Sequence, residues 1–182
     1  MNEHVRQAII LLGPSGAGKS VQAEYLVSRH ADWVHLSSGE LLRADPLVIA
    51  RLASGELVPS AEVERIIAQA LADNDGAEMI ILDGFPRVLD QAIWLDQIMG
   101  DVQRQLVAVV HIDLSLELAQ QRLALRHRLD DGAGALAVKW QEYQAKTLPV
   151  LSYYVKQGIA STVNGNAASV NIGQTIEKLL HV

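Results

Sequence analysis

The sequence predicts an α/β protein of three layers, in which helices cover both faces of a five-stranded parallel sheet. Five short apolar runs of strand length alternate along the 182-residue chain with segments of helical periodicity. Several of these runs are apolar throughout, as expected of parallel strands that are buried on both faces. Right-handed crossovers bring the loops after such strands to one edge of the sheet, where ligands bind.

Each element follows from its own spacing of apolar residues. The strands are predicted at 8–12, 33–36, 79–82, 106–112 and 159–163. The helices are predicted from residue 21 onward and over 40–43, 46–52, 63–71, 88–99, 114–126, 136–155 and 172–180. Their boundaries depend on cap and turn residues: Ser60 is expected to cap the helix after it, and Gly100 to end the helix before it.

Local signals support this order of elements. Ser37-Ser38-Gly39 offers a cap for the helix after the second strand, and Asp45-Pro46 ends that helix and begins the next. Asn74-Asp75-Gly76 is a turn before the third strand, which stops on Asp83-Gly84. The polar stretch Asp130-Asp131-Gly132-Ala133-Gly134 follows the helix after the fourth strand, and we expect it to be flexible.

The loop after the first strand has the phosphate-binding pattern of glycine, four residues and Gly-Lys-Ser/Thr. It consists of Gly13-Pro14-Ser15-Gly16-Ala17-Gly18-Lys19-Ser20 and lies between a predicted strand and a predicted helix. Glycines let consecutive N–H groups turn toward an anion, and the helix N-terminus adds the positive end of its dipole. Lys19 is expected to bridge terminal phosphates and Ser20 to face Mg²⁺. A glycine-rich turn without a ligand is the alternative, which this context disfavours.

A second candidate site follows the third strand, in Asp83-Gly84-Phe85-Pro86-Arg87. A carboxylate that ends a buried strand, downstream of a phosphate loop, can orient Mg²⁺ or its water shell. Arg87, introduced rigidly by Pro86, offers a planar fork suited to a phosphate group. Because Asp-Gly is also a common turn pair, the alternative for Asp83 is a strand-end turn.

Three arginines form the third candidate group. Arg122 and Arg126 share a helix face, and Arg128 follows at the polar stretch. Such close like charges repel one another unless an anion, or Asp130 and Asp131, neutralises them. In an acidic protein with a phosphate loop, we interpret them as groups on a mobile arm that stabilise a transferring phosphoryl group. A solvated basic face is the alternative.

Composition and charge narrow the range of functions. A chain of 182 residues suits one domain, here residues 1–182. The net charge of −6 argues against a broad nucleic-acid or anionic-membrane surface, and the absence of cysteine excludes disulfides. No apolar run approaches membrane-spanning length, and the first residues do not resemble a signal peptide. We therefore expect a cytoplasmic monomer that binds neither nucleic acid nor membranes.

Taken in order, these motifs resemble the adenylate kinase family of nucleoside-monophosphate kinases over nearly the whole chain. The most specific signature is 83–87 together with Gln91; further matches are the phosphate loop with Gln22, the segments 36–43 and 55–59, the lid motif 128–131, and the helix with Tyr143, 147–150 and 153–154. The resemblance implies a P-loop kinase fold with a monophosphate-binding segment at about 37–67 and a short lid at about 126–135. It implies reversible phosphoryl transfer from Mg-ATP to a nucleoside monophosphate.

The resemblance also implies roles for the matching residues. Lys19 would hold the donor phosphates, and Arg122 would lie against the donor base. Arg126 and Arg128 would close over the transferring group, while Ser20 and Asp83 would serve the metal. The acceptor would be bound by Ser38, Arg43, Val58, Gly84, Arg87 and Gln91.

Two of these residues favour AMP as the acceptor. Ser38 and Gln91 would meet the acceptor base, and family members that prefer pyrimidines tend to carry Ala and Asn at those two positions. The carboxamide of Gln91 can also pair with an adenine edge.

The sequence departs from the family pattern at four places. Ser20-Val21 replaces the usual Gly-Thr after Gly-Lys, and the segment between Arg43 and Gly55 is shorter than usual. The lid is very short and has no metal-binding insert. Lys139 stands where the family carries an arginine, so it is a candidate catalytic residue that keeps the charge and lacks the fork geometry.

Two other functions stay open at this point. The first is a different small-molecule kinase on the same scaffold, such as a pyrimidine monophosphate kinase or a shikimate- or gluconate-type kinase. The signature 83–87 with Gln91 argues against the shikimate and gluconate types. The second is a degenerate nucleotide-binding module without turnover, against which the retained Lys19, Asp83 and arginines argue.

Overall fold

The computed structural model describes residues 5–54, 58–124 and 133–182. The strands are β1 Arg6–Leu12, β2 Trp33–Ser37, β3 Met79–Asp83, β4 Arg104–Asp113 and β5 Ala160–Asn164. The α-helices are α1 Lys19–Arg29, α2 Ser38–Ala44, α3 Pro46–Ser54, α4 Ser60–Asp73, α5 Leu89–Asp101, α6 Leu116–Ala124, α7 Ala133–Glu142, α8 Leu148–Lys156 and α9 Ser169–Leu180. None of the described helices is long and apolar enough to cross a membrane.

The described strands form one parallel sheet in the order β2-β3-β1-β4-β5, with β1 at its centre. Successive side chains of a strand point to opposite faces, and in β1 both faces are apolar and buried. Ile10 and its neighbours on one face pack with α4, α5 and α8. Ile9 and Leu11 on the other face pack with α1, α6 and α9. The predicted fold class is therefore confirmed.

Two predicted helix boundaries are wrong. Ser60 is the first residue of α4 rather than its cap, which is Pro59, and the Ser60 hydroxyl accepts a hydrogen bond from the side chain of Gln91. Gly100 lies inside α5, and the left-handed residue beyond that helix is Gln103, with a φ of 50°. Serine and glycine are both common at helix ends. Here Ser60 is part of its helix and contacts Gln91, and Gly100 lies within its helix.

The helix predicted over 136–155 is interrupted by a π turn at Tyr143–Thr147, which joins α7 to α8. The backbone N–H of Leu148 donates to the carbonyl of Tyr143, five residues back. Pro149 follows at once; it lacks an N–H, and its ring clashes with the carbonyl four residues earlier in a regular α-helix. The wider π turn lets the chain continue through this proline.

Strand register assembles one edge of the sheet. Asp83 at the end of β3 is paired with Leu11 of β1 and with Ser37 of β2. Leu12, the last residue of β1, is paired with His111 of β4. The loop after β1 and the polar ends of β2, β3 and β4 therefore meet at the carboxyl edge.

A polar cluster fastens α8 to α5 on the other side of the core. The carboxylate of Asp96 accepts hydrogen bonds from the hydroxyls of Tyr153 at 2.6 Å and Tyr154 at 3.2 Å, and from the side chain of Gln157 at 2.9 Å. Tyr154 is fully buried, and its hydroxyl also donates to the carbonyl of Ala92. The cluster anchors the helix that leads out of the π turn.

We predict that Asp96→Ala lowers the free energy of unfolding by about 2 kcal/mol, because a buried hydroxyl loses a charged acceptor. Urea unfolding followed by circular dichroism measures this loss. Asp101→Ala, at the exposed end of the same helix, is the matched control and should change the stability by less than about 0.5 kcal/mol. Equal midpoints for the two variants would contradict the prediction.

Candidate active site

A cavity of about 730 Å³ opens at the carboxyl edge of the sheet. The whole loop from 13 to 20 lines it, and so do residues from β3, α2, α6, α7, the π turn and the start of α9. The loop occupies the middle of this wall. Ser38 and Arg43 lie on its β2–β3 side, while Arg122 and Ser169 lie on its β4–β5 side.

The loop between β1 and α1 is shaped by glycines at both ends. Gly13 has a φ of 146°, and a Cβ on it would lie 2.6 Å from the carbonyl oxygen of Ile112. Gly18 caps α1 with a left-handed φ of 89°, so α1 begins at the cavity with its unpaired N–H groups. The Nζ of Lys19 donates to the carbonyls of Gly13 at 2.9 Å and Pro14 at 3.0 Å. The loop and the start of α1 therefore form an anion-binding site, and Lys19 lies beside it.

Asp83 lies at the floor of the cavity and is almost entirely buried. Its Oδ2 accepts a 2.6 Å hydrogen bond from the Ser20 hydroxyl, and His35 Nε2 lies 3.4 Å from the same oxygen. Burial by itself raises the pKa of Asp83, but the His35 hydrogen bond, the charge of Lys19 and the Ser20 hydrogen bond together lower this pKa below its ordinary value. The carboxylate is therefore ionised at neutral pH.

Ser20 and Asp83 also make up the oxygen-donor set of this part of the cavity. Among residues 5–54, 58–124 and 133–182, no three His, Cys, Asp or Glu side chains cluster into a metal cage. Mg²⁺ binds through one or two carboxylates and substrate phosphates, and it keeps several water ligands. One hydroxyl and one ionised carboxylate beside a phosphate cradle fit that ion.

Two arginines face the cavity on the β2–β3 side. The Nε of Arg87 donates to the carbonyl of Gly84 at 2.8 Å, and the Arg43 guanidinium lies over Gly39. Arg87 is partly exposed to solvent, but the protein around its guanidinium removes enough water to lower its pKa against the opposing charges of Asp83 and Glu142, and Arg43 lowers it further. Arginine stays protonated despite such shifts, so this side of the cavity is strongly cationic.

Ser38 and Gly84 are fitted to each other beside these arginines. A Cβ on Gly84 would lie 2.8 Å from the Ser38 hydroxyl, and the φ of Gly84 is 76°. The Ser38 hydroxyl is buried and has no hydrogen-bond partner among the described residues. A buried polar atom without a partner at the wall of a cavity is available to a bound molecule.

Gln91 and Val58 are placed differently from the other predicted acceptor residues. Neither belongs to the cavity wall formed by the described part of the chain. Gln91 is buried; its oxygen accepts from the backbone N–H of Arg87 at 2.9 Å, and its amide nitrogen donates to Ser60 at 3.0 Å. In this arrangement Gln91 supports the backbone of Arg87 from behind.

On the β4–β5 side, Arg122 ties two loops together. It donates to the carbonyl of Gly165, after β5, at 2.7 Å and to that of Gly16 at 3.5 Å. Gln22, which sequence reasoning matched only as part of a motif, donates to the hydroxyl of Ser169 at 2.9 Å and so joins α1 to α9. Predicted residues Arg126 and Arg128 lie outside the described residues.

Several wall residues were missed by sequence reasoning. Lys139 lines the cavity as predicted for a site residue. Glu142 and Lys146 beside it were not predicted, and Tyr143 and Thr147 were matched to the family without a role in the site. Their spacing of three and four residues, which places side chains on one helix face, could have suggested them. Sequence reasoning also missed His35, which contacts Asp83 rather than the cavity; it is a polar residue in the otherwise apolar predicted strand 33–36.

Comparison with known proteins places this geometry in a family. The family profile described as adenylate kinase matches residues 11–159. The chain is 36% identical over 184 aligned positions to an adenylate kinase of Prochlorococcus marinus (strain MIT 9303), an alignment that covers 97% of this chain and 100% of the relative. It is 35% identical to an adenylate kinase of Parvibaculum lavamentivorans, with 96% and 92% covered.

The chain belongs to the adenylate kinase family. A third relative, an adenylate kinase of Corynebacterium glutamicum (strain R), is 33% identical over 171 positions and 90% of this chain. The predicted family is thus confirmed, and so is the prediction of an ATP-dependent nucleoside-monophosphate kinase. Among the described residues, this adenylate kinase family member lines one cavity with the phosphate loop, Asp83 and the arginine pair.

We predict that Asp83 makes the stability of this protein depend on pH in the acid range. Because its pKa is lowered in the folded state, the ionised carboxylate adds stability above its unfolded pKa of about 3.9, and this is lost as pH falls through the folded pKa. The difference in free energy of unfolding between the wild type and Asp83→Asn should shrink as the pH falls below about 4.

Urea unfolding at each pH measures this difference. Asp101→Asn, at an exposed position, should show no comparable change with pH. A wild-type-to-Asp83→Asn difference that is the same at neutral and acid pH would refute the assignment.

Proposed function

We propose that this chain catalyses the reversible transfer of the γ-phosphoryl group of Mg-ATP to AMP, which yields two molecules of ADP. The observation that carries the proposal is the shared cavity of the phosphate loop, the Ser20–Asp83 pair and the arginines Arg43 and Arg87. An anion cradle on one side and an arginine pair on the other match two phosphate-bearing substrates. The relatives named adenylate kinase support ATP and AMP as those substrates.

The donor nucleotide occupies the loop side of the cavity in this proposal. Backbone N–H groups of 13–20 and the start of α1 bind its phosphates, and Lys19 moves from the loop carbonyls onto the terminal phosphates. Arg122, which is already held between Gly16 and Gly165, lies against the donor base. Gln22 and Ser169 line the cavity next to this position of the donor base.

Ser20 and Asp83, which lie beside the phosphate loop, would hold Mg²⁺. The ion, when bound, neutralises phosphate charge and so stabilises the transition state of phosphoryl transfer. The hydrogen bonds from His35 and Ser20 keep Asp83 ionised and orient its carboxylate toward that position.

The acceptor phosphate lies between Arg43 and Arg87. Two guanidinium groups neutralise its charge and hold one oxygen in line with the γ-phosphorus of the donor. That oxygen forms a bond to phosphorus while the bond from phosphorus to the β–γ bridging oxygen breaks. Ser38 and Gly84 shape the acceptor pocket. The binding roles of Val58 and Gln91 stay predictions.

Cationic side chains from the lid side complete the charge balance. Lys139 lines the cavity, and Arg126 and Arg128 are assigned the same role by resemblance. They stabilise the negative charge that spreads over the equatorial oxygens during transfer. The cytoplasmic location, the monomeric state and the division into a monophosphate-binding segment and a lid likewise stay predictions.

The acceptor preference is tested by a coupled assay of ADP formation with ATP and, in turn, AMP, UMP, CMP, dTMP and GMP. We expect AMP to give the highest kcat/KM, at least about tenfold above UMP or CMP, because a pocket with specific polar partners discriminates between bases. Gln91→Ala should weaken use of AMP through the backbone of Arg87. A pyrimidine acceptor that outperforms AMP would overturn the assignment of the acceptor.

We predict that Lys19→Met lowers kcat by about 10²–10³-fold, as expected when a charge contact to the transferring phosphates is removed. The loop carbonyls that Lys19 contacts lose a donor, so the free energy of unfolding should fall by no more than about 1 kcal/mol. Steady-state kinetics and urea unfolding measure the two effects. A variant with more than about a third of wild-type turnover would exclude this role for Lys19.

A further inference from the structure

His111 is a buried titratable side chain that the reaction described above does not use. It lies on β4, beside the last residue of β1, and only 5% of its surface is exposed. Its Nε2 is 2.6 Å from the hydroxyl of Tyr143, and its Nδ1 is 3.4 Å from the hydroxyl of Thr162 on β5. Both ring nitrogens therefore have partners, one in the sheet and one in the π turn.

Tyr143 connects this histidine to the cavity. It is the first residue of the π turn, lines the cavity and packs its ring 5.7 Å from the ring of Trp140. Lys139 precedes it by four residues, so the two side chains share a helix face. At the other end of the turn, the Thr147 hydroxyl donates to the backbone carbonyl of Arg87 at 3.1 Å.

The π turn is thus attached to the rest of the protein at both ends. The His111–Tyr143 hydrogen bond holds it to the sheet, and the Thr147 hydrogen bond holds it to the loop that carries Arg87. Burial lowers the pKa of Arg87, and the charge of Glu142 is close enough to oppose that lowering. A shift of this turn would therefore move cationic and anionic groups on the cavity wall together.

The protonation states of both side chains are compatible with the hydrogen bond between His111 and Tyr143. Burial lowers the pKa of His111, against the charge of Asp113, and the charge of Lys19 lowers it further, so the ring is neutral at pH 7. Burial raises the pKa of Tyr143 to about 12, so its phenol keeps its proton. A neutral imidazole and a protonated phenol can therefore share one hydrogen bond between Nε2 and the Tyr143 hydroxyl, in either direction.

We propose that His111 is a positioning residue for phosphoryl transfer, which acts through Tyr143 to hold the π turn so that Lys139 and Glu142 stay at the cavity wall. This inference rests on the proposed function. Misplacing a charged group by about 1 Å can cost up to about 100-fold in rate, because transition-state contacts depend on alignment. The loss falls on kcat, since the groups concerned act while charge is moving.

Tyr143→Phe removes the hydroxyl with little change of shape. Tyr153→Phe is the matched control, because it removes a hydroxyl that makes a hydrogen bond of the same 2.6 Å length, to Asp96 and away from the cavity. We expect Tyr143→Phe to lower kcat about tenfold and to leave KM for ATP and AMP within about twofold. Tyr153→Phe should lower stability and leave kcat unchanged. Equal kcat for both variants would overturn the proposal.

Histidine variants test whether the effect passes through this hydrogen bond. His111→Gln retains both a hydrogen-bond donor and an acceptor and should keep most of kcat, whereas His111→Leu should match Tyr143→Phe. The double variant His111→Leu/Tyr143→Phe should lose no more than either single variant, because both remove one interaction. Additive losses would show that the two residues act separately.

Measuring Tyr143→Phe in a Lys139→Ala background tests whether Tyr143 acts by positioning Lys139. If Tyr143 acts by placing Lys139, Tyr143→Phe should cost less than about twofold in kcat in that background. An undiminished tenfold loss there would refute positioning through Lys139.

Amide hydrogen exchange separates this inference from the proposed function, since it needs no turnover. Tyr143→Phe should increase exchange at Leu148, whose N–H donates to the Tyr143 carbonyl, by at least about tenfold, and Tyr153→Phe should not. Absence of ADP formation by the wild type would refute the proposed function alone. Unchanged exchange in Tyr143→Phe would refute the positioning of the turn.

Discussion

The position of the phosphate loop relative to Asp83 is the constraint on which the rest of the site depends. β1 is buried on both faces and paired on both edges, so the loop after Leu12 has little freedom to shift. The hydrogen bond from Ser20 to Asp83 then joins the start of α1 to the end of β3. Every other wall residue is placed with respect to this junction, because the strands and helices that carry them pack on the same sheet.

Charge is distributed unevenly in this protein. The chain has a net charge of −6, yet Lys19, Arg43, Arg87, Arg122 and Lys139 line one cavity. Such a cluster is costly without anions, and the pKa of Arg87 is lowered in this setting by loss of water and by Arg43. Polyphosphate substrates supply the balancing charge.

The helical segment from α7 to α8 contains both residues that anchor it in the core and residues that line the cavity. α8 is anchored in the core by Val150 and Tyr154 and by the cluster around Asp96. α7 carries Lys139 toward the cavity, and the π turn lies between the two. The π turn is therefore the junction between the anchored helix α8 and the helix that carries Lys139.

The sequence alone determined the fold class, the family, the phosphate loop and the signature 83–87, because each depends on residues that are close together in the chain and on short-range geometry. It did not determine that Gln91 supports Arg87 from behind, that Ser60 serves as its partner, or that His111 holds Tyr143. Gln91 and Ser60 are 31 positions apart in the chain, and His111 and Tyr143 are 32 positions apart. Only strand order, register and helix packing decide such pairs, since a hydrogen bond forms within about 3 Å and no periodicity encodes that distance.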